Sequence, residues 1–137
     1  MIVTYTTEER ENTLPHRLKE ILLSEENRPT GIVCYNDEIA INVLNLLREL
    51  EIKVPDDISI VGYDDSYLTE ASETKITSVT HPKMDMGIEA AKWIVAAVEK
   101  RDKESIEKWQ KIYDPELIIR NSTSAVKRNH SENKHVI

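Results

Sequence analysis

Two short polar clusters carry most of the chemistry open to this chain: Tyr35-Asn36-Asp37 and Tyr63-Asp64-Asp65. Each closes an apolar run, Ile32-Val33-Cys34 in one case and Ile58 to Gly62 in the other. In open α/β sheets ligands bind outside the carboxyl ends of the strands, so both clusters fall where a ligand is held. An amide beside a carboxylate suits a neutral polyol, because Asn36 both donates and accepts while Asp64 takes hydrogen bonds from adjacent hydroxyls. The same residues have a plainer use: Asn36 or Asp37 can cap the helix that follows, and Asp64 with Asp65 can shape a turn. A third chemistry, carboxylates holding Mg²⁺ for phosphoryl transfer, needs acids converging from other strands. Only Glu8 and Glu9 are on offer, several residues beyond the first strand. His81, placed before Pro82 where the chain leaves a strand, is either a ligand contact or a loop residue. No Gly-rich phosphate loop, nucleophile elbow or paired Cys or His at ligand spacing occurs, and only three glycines are present to build such turns. The expectation is a binding module with no catalytic residue, no metal site and no cofactor.

The elements that must position these residues alternate in type. Ile2 to Thr6 reads as a strand on its β-branched and aromatic content, and its start at the second residue is abrupt, hinting at preceding sequence. Leu14, Leu18, Ile21 and Leu22 fall at helical spacing behind a capping Thr13, with Pro15 in the first turn. Gly31 to Tyr35 is a buried strand, followed by a helix whose Ile39, Val43, Leu46, Leu47 and Leu50 repeat at the helical period, with Asp37 and Glu38 at the positive end of its dipole. The turn Pro55-Asp56-Asp57 leads into a strand from Ile58 to Gly62. Tyr67 to Lys75 is loop-like, Ile76 to Thr80 a short strand, and a helix from about 83 to 100 carries Gly87, Ala91, Ile94, Val95 and Val98 on one face. Glu99 to Lys108 reads as solvated, Leu117-Ile118-Ile119 as a final strand, and Ser122 to Ile137 as polar and largely disordered. Strands alternating with helices through short links predict the α/β class: a parallel sheet flanked by helices with right-handed crossovers.

Composition narrows the function. With 137 residues the chain can bury one sizeable core. Its 18 basic against 25 acidic residues leave a net charge of −7, which argues against a nucleic-acid face, and Lys127 with Arg128 is too small a basic excess to change that. No run of about 18 apolar residues suggests a membrane span. Cys34 stands alone in its apolar run and reads as a buried reduced thiol, and packing is the default for Trp93 and Trp109.

In this order the segments RPTGIVCYNDEIAINVLNLLRELEIKVPDDISIVGYDDS, ITSVTHPKMDMGIEAAKWIV and PELIIRNST span nearly all of residues 28 to 124. The sequence resembles the effector-binding region of the lactose/galactose repressor family, whose fold is that of periplasmic sugar-binding proteins. Its SVTHPK segment is most similar to arabinose repressors, in which this domain is fused to a gluconate-repressor-type winged helix. The resemblance implies a partial periplasmic-binding-protein type I fold, a monosaccharide effector held by Asn36, Asp64 and His81, and a homodimer through the C-terminal subdomain. The interface candidates are Ile39, Val43, Tyr67 and Leu68. It further implies that residues 1–80 and 112–124 form the C-terminal subdomain, that 81–111 belong to the N-terminal subdomain, and that 125–137 are a disordered tail. The DNA-binding head, through which alone operator DNA would be bound, and most of the N-terminal subdomain are then absent. The protein is expected in the cytoplasm, with a sugar-binding receptor of the same fold, for transport or chemotaxis, as the alternative.

Overall fold

Helical periodicity and capping residues set the first elements of the computed structural model, which describes residues 14–24, 28–99 and 110–125. The strand expected over Ile2 to Thr6, most of Glu99 to Lys108, Trp109 and the end of the tail lie outside the described residues. Helix α1 spans Leu14–Leu23 and buries Leu22. Strand β1 (Gly31–Val33) leads to α2 (Asp37–Glu49), whose buried Ala40, Val43 and Leu47 recur at the spacing of one helical face. Arg48 in its last turn and Asp37 and Glu38 in its first complement the helix dipole. Then come β2 (Ser59–Asp64), the one-turn helix α3 (Leu68–Ala71), β3 (Thr77–Thr80), α4 (Lys83–Glu99) and β4 (Leu117–Ile118). The segment from Tyr67 to Lys75, expected as loop, thus contains a helical turn, fixed where Thr69 Oγ1 donates to the Ser66 carbonyl at 2.8 Å.

The four strands form one sheet in the order β1-β2-β3-β4. Its first three strands run parallel, with Val33 opposite Val61 and Asp64 opposite Thr80, and β4 closes antiparallel on β3. Along β2 the pleat alternates as strand geometry requires: Ile60 and Gly62 are buried, Val61 is half-buried and Tyr63 exposed. Ile60 joins Ile58, Ile76, Leu22, Ala40 and Leu47 in the core. Val43, expected at a dimer interface, belongs to that same core at 5% exposure, so it has no surface to give a partner. Elsewhere apolar side chains face solvent: Val33 is 82% exposed, and α4 buries none of its residues, leaving Met84, Ile94, Val95 and Val98 exposed.

The start of the polar tail is not free. Ser122 is fully buried, and its hydroxyl accepts from the Thr77 N–H at 2.8 Å and donates to the Ile60 carbonyl at 2.6 Å. It sits where a ladder bond between β2 and β3 would otherwise run, while the Ser122 carbonyl accepts from Ile60 N–H at 2.8 Å. Composition alone misplaced this residue in a disordered tail, because a small hydroxyl is equally at home in water and in a gap between two strands. Ser122→Ala leaves two buried backbone groups short of a partner. The expected loss is about 1–3 kcal/mol of stability, read as a lower urea midpoint with an unchanged slope.

Candidate functional site

The parallel register decides which strand-end residues meet. Because Asp64 pairs with Thr80, His81 lies one residue past the point opposite it, and its Nδ1 stands 3.1 Å from Asp64 Oδ1. Lys83, in the first turn of α4, brings its Nζ to 3.0 Å from the same oxygen. Burial by itself raises the Asp64 pKa, but hydrogen bonds and charge from Lys83 and His81 outweigh it and hold the carboxyl below its ordinary range. The Tyr63 ring lies 5.6 Å from the His81 ring, tilted at 52°. Asp64 and His81 are therefore one cluster, joined by Lys83, a residue the sequence reading assigned only to a helix.

Asn36 follows the neighbouring strand, three residues past the end of β1. The pairing of β1 with β2 ends at Val33 and Val61, so Asn36 lies past the carboxyl end of β1 while Asp64 is the last residue of β2. Its backbone is extended, and its Oδ1 accepts from Ile39 N–H at 2.9 Å, so it is the N-cap of α2. The capping role weighed for Asn36 is thus occupied.

Asp37 does not cap α2, and it has a use beyond complementing the helix dipole. It is 1% exposed, with Oδ1 accepting from the Ser78 hydroxyl at 2.6 Å and Oδ2 from Ser66 N–H at 2.7 Å. Ser78 Oγ in turn accepts from Asp65 N–H at 3.2 Å. These bonds span a turn in which Asp64 and Asp65 take φ of 103° and 44°. Such angles cost non-glycine residues on the order of 1–3 kcal/mol each unless the surroundings fix them. Gly62 makes room for the arrangement, since a Cβ there would overlap Asp37 Oδ1. Asp65 is held from the far side by Arg120, whose guanidinium lies 2.7 Å from its carboxylate and also donates to the Ile76 carbonyl at 3.0 Å. That ion pair raises the Arg120 pKa further.

Burial, and then the charge of Asp37, push the Cys34 thiol up to about 12, so it stays protonated at neutral pH and is no nucleophile. Among the described residues no group of three or more His, Cys, Asp and Glu side chains is placed to hold a metal ion. A groove bordered by Ile41, Leu44, Arg48, Val54, Leu68 and Ala71 lies toward the α2–β2 connection and includes none of Asn36, Asp64 or His81. Of the remaining candidates, Tyr67 is 83% exposed, while Ile39 and Leu68 are half-buried.

Residues 2–123 match the profile of the periplasmic binding protein-like domain. The arabinose metabolism transcriptional repressor of Halalkalibacterium halodurans is 46% identical over 128 residues, covering 92% of this chain and 34% of the relative. The protein of the same name from Geobacillus stearothermophilus is 44% identical over 126 residues, again with 34% of its length covered. The chain therefore spans about a third of these relatives. A solved LacI family transcriptional regulator from Enterococcus faecalis with bound ribose superposes with a TM-score of 0.71 at 30% identity, covering 82% of this chain and 40% of that one.

The depressed Asp64 pKa has a signed consequence. A carboxyl more acidic folded than unfolded contributes stability that is complete above the ordinary Asp value of about 3.9 and is lost as pH falls through the folded value. In urea titrations carried from neutral pH into that acid range, the wild-type chain should lose more stability than Asp64→Asn, whose side chain cannot titrate. Parallel acid limbs would show that the contacts to His81 and Lys83 do not hold the charge.

Proposed function

The chain belongs to the periplasmic binding protein-like domain family, and on that footing we propose that it is the sugar-sensing and dimerising region of a bacterial transcriptional repressor. The observation that supports the reading is the Asp64–His81 contact at the carboxyl end of β2, with Asn36 following the carboxyl end of its parallel neighbour β1. The effector is a monosaccharide, with arabinose first among candidates, given the 46% identity to a repressor named for arabinose metabolism. Asp64 accepts from adjacent sugar hydroxyls, His81 and Lys83 keep it ionised and add donors, and Asn36 offers its Nδ2 hydrogens while its Oδ1 caps α2. The chemistry is reversible hydrogen bonding and breaks no covalent bond.

In the intact protein, sugar bridging two subdomains favours the closed arrangement, and by linkage this biases a dimer away from operator DNA. DNA is contacted outside these residues, consistent with the net charge of −7. Residues 1–80 and 112–124 then form the C-terminal subdomain and 81–111 the excursion into its neighbour, a division supported by the exposed apolar face of α4. The dimer surface includes Ile39, Tyr67 and Leu68 beside the groove at Ile41 and Leu44. The cytoplasm is the working compartment. No helix among the described residues is long and apolar enough to cross a membrane.

With one wall of the cleft, this chain should bind sugar at millimolar affinity or weaker, about 4 kcal/mol or less. Calorimetry with L-arabinose should show no micromolar binding, whereas an NMR titration at high sugar concentration should move the signals of Asn36, Asp64 and His81. Asp64→Ala should abolish those shifts. Shifts confined to other residues would remove the reading. The exposed face of α4 should drive self-association, visible by light scattering at high concentration, and a strict monomer would count against the subdomain division.

A further inference from the structure

The geometry points to Asp37 as a positioning residue: we propose that its buried carboxylate sets the turn from Asp64 to Ser66 and thereby aims Asp64 along the rim. The inference rests on the reading that Asp64 contacts the effector, but its structural core can be tested without any sugar.

The first residue of a helix is usually a solvated place, where an acid gains from the helix dipole and costs little. Asp37 is buried instead, and a buried polar group must find hydrogen-bond partners. Its recorded partners come from β3 and from the turn after β2, far from it in sequence: the Ser78 hydroxyl and the Ser66 N–H. Neither bond is needed to start α2, because Asn36 already caps it.

What the two bonds do control is the turn. Ser78 Oγ donates to Asp37 and accepts from Asp65 N–H, so the consecutive amides of Asp65 and Ser66 both hang on the Asp37–Ser78 pair. Those amides follow the two left-handed residues, Asp64 and Asp65, and the turn also buries the Ser66 hydroxyl without a partner. A segment with those costs relaxes once its acceptors are removed. Relaxation would swing the Asp64 carboxylate off His81 and Lys83, because its direction is set by the backbone angle that the latch maintains. Gly62 belongs to the same device, since any side chain there would displace Asp37 Oδ1.

The test uses isotope-labelled full chain and three variants: Asp37→Ala, Asp37→Asn and Ser78→Ala. In Asp37→Ala the Ser66 amide should exchange faster by about tenfold or more while the Ile60 amide keeps its protection, which marks local rather than global opening. The strong intraresidue HN–Hα contacts of left-handed Asp64 and Asp65 should fade. The Asp64 carboxyl, followed by its ¹³C signal against pH, should return toward the ordinary range. Asp37→Asn should rescue in part, since its carbonyl can still accept from Ser66 N–H. Ser78→Ala, which removes the Asp65 acceptor and one donor to Asp37, supplies the Asp65 amide exchange, the turn signals and the Asp64 titration should Asp37→Ala fail to fold. Unchanged turn signals and an unchanged Asp64 titration in a folded Asp37→Ala, or in Ser78→Ala if that one alone folds, would overturn the proposal. Arabinose-induced shifts separate the two readings. Loss of those shifts together with the turn supports both. Their absence already in wild type, with the turn still dependent on Asp37, removes the sugar reading and leaves the latch.

Discussion

A carboxylate buried between three segments is the constraint on which the rim of this sheet depends. Asp37 leaves β1 at the start of α2, takes a hydroxyl proton from β3 and an amide proton from the turn beyond β2, and so ties together the ends of three parallel strands. Parallel ladders fix strands laterally but say nothing about where the chain goes after the last ladder bond. Here that direction is fixed by side-chain acceptors, and it must be, because the backbone there adopts angles that L-residues avoid. Arg120 secures the opposite side of the same turn through Asp65. The strand-end loop is therefore a braced structure even though every one of its residues is polar.

The elements were legible in the sequence wherever a period or a cap forced them. The spacing of Ile39, Val43, Leu46, Leu47 and Leu50 marked α2, Asn36 or Asp37 marked its start, with Asn36 proving to be the cap, and the runs ending at Cys34 and Gly62 marked the two strands whose ends make the candidate site. The pairing of Asp64 with His81 was legible only as far as the resemblance implied it, since register is a tertiary property. Three things were not legible. A buried Asp37 and a solvated one are written with the same letter, and only Gly62, an otherwise unmotivated glycine in a strand, hinted that something needed the space. Ser122 had a composition typical of a tail and a position inside the sheet. Val43 fitted both a dimer face and a core, and packing chose the core.

Parallel sheets are ordinarily covered on both faces, and their strands then read as continuous apolar runs. In this chain Ile60 meets the core while Val33 is largely exposed, and α4 carries exposed methionine, isoleucine and valine side chains without burying any of them. That distribution leaves the apolar face of α4 uncovered among the described residues, in a chain that spans about a third of the curated relatives it matches. At the strand ends, by contrast, the brace, the cap and the charge partners of Asp64 all come from described residues.

On the proposed reading, the two neighbours of Asp64, His81 and Lys83, constrain what the site can select. Both contacts, from His81 Nδ1 and Lys83 Nζ, converge on Oδ1, so the carboxylate is held in rotation and its pKa is lowered. An incoming diol meets an acceptor already charged and already oriented, which lowers the cost of ordering the site on binding. Lys83, more than half exposed, sets one positive charge beside that carboxylate. A neutral sugar would satisfy Asp64 without displacing Lys83, whereas a cationic ligand would face the Lys83 ammonium at short range. On the proposed reading, selectivity for uncharged polyols is thus written into the first turn of α4 as much as into the strand end, and that is why Lys83 belongs with Asp64 and His81.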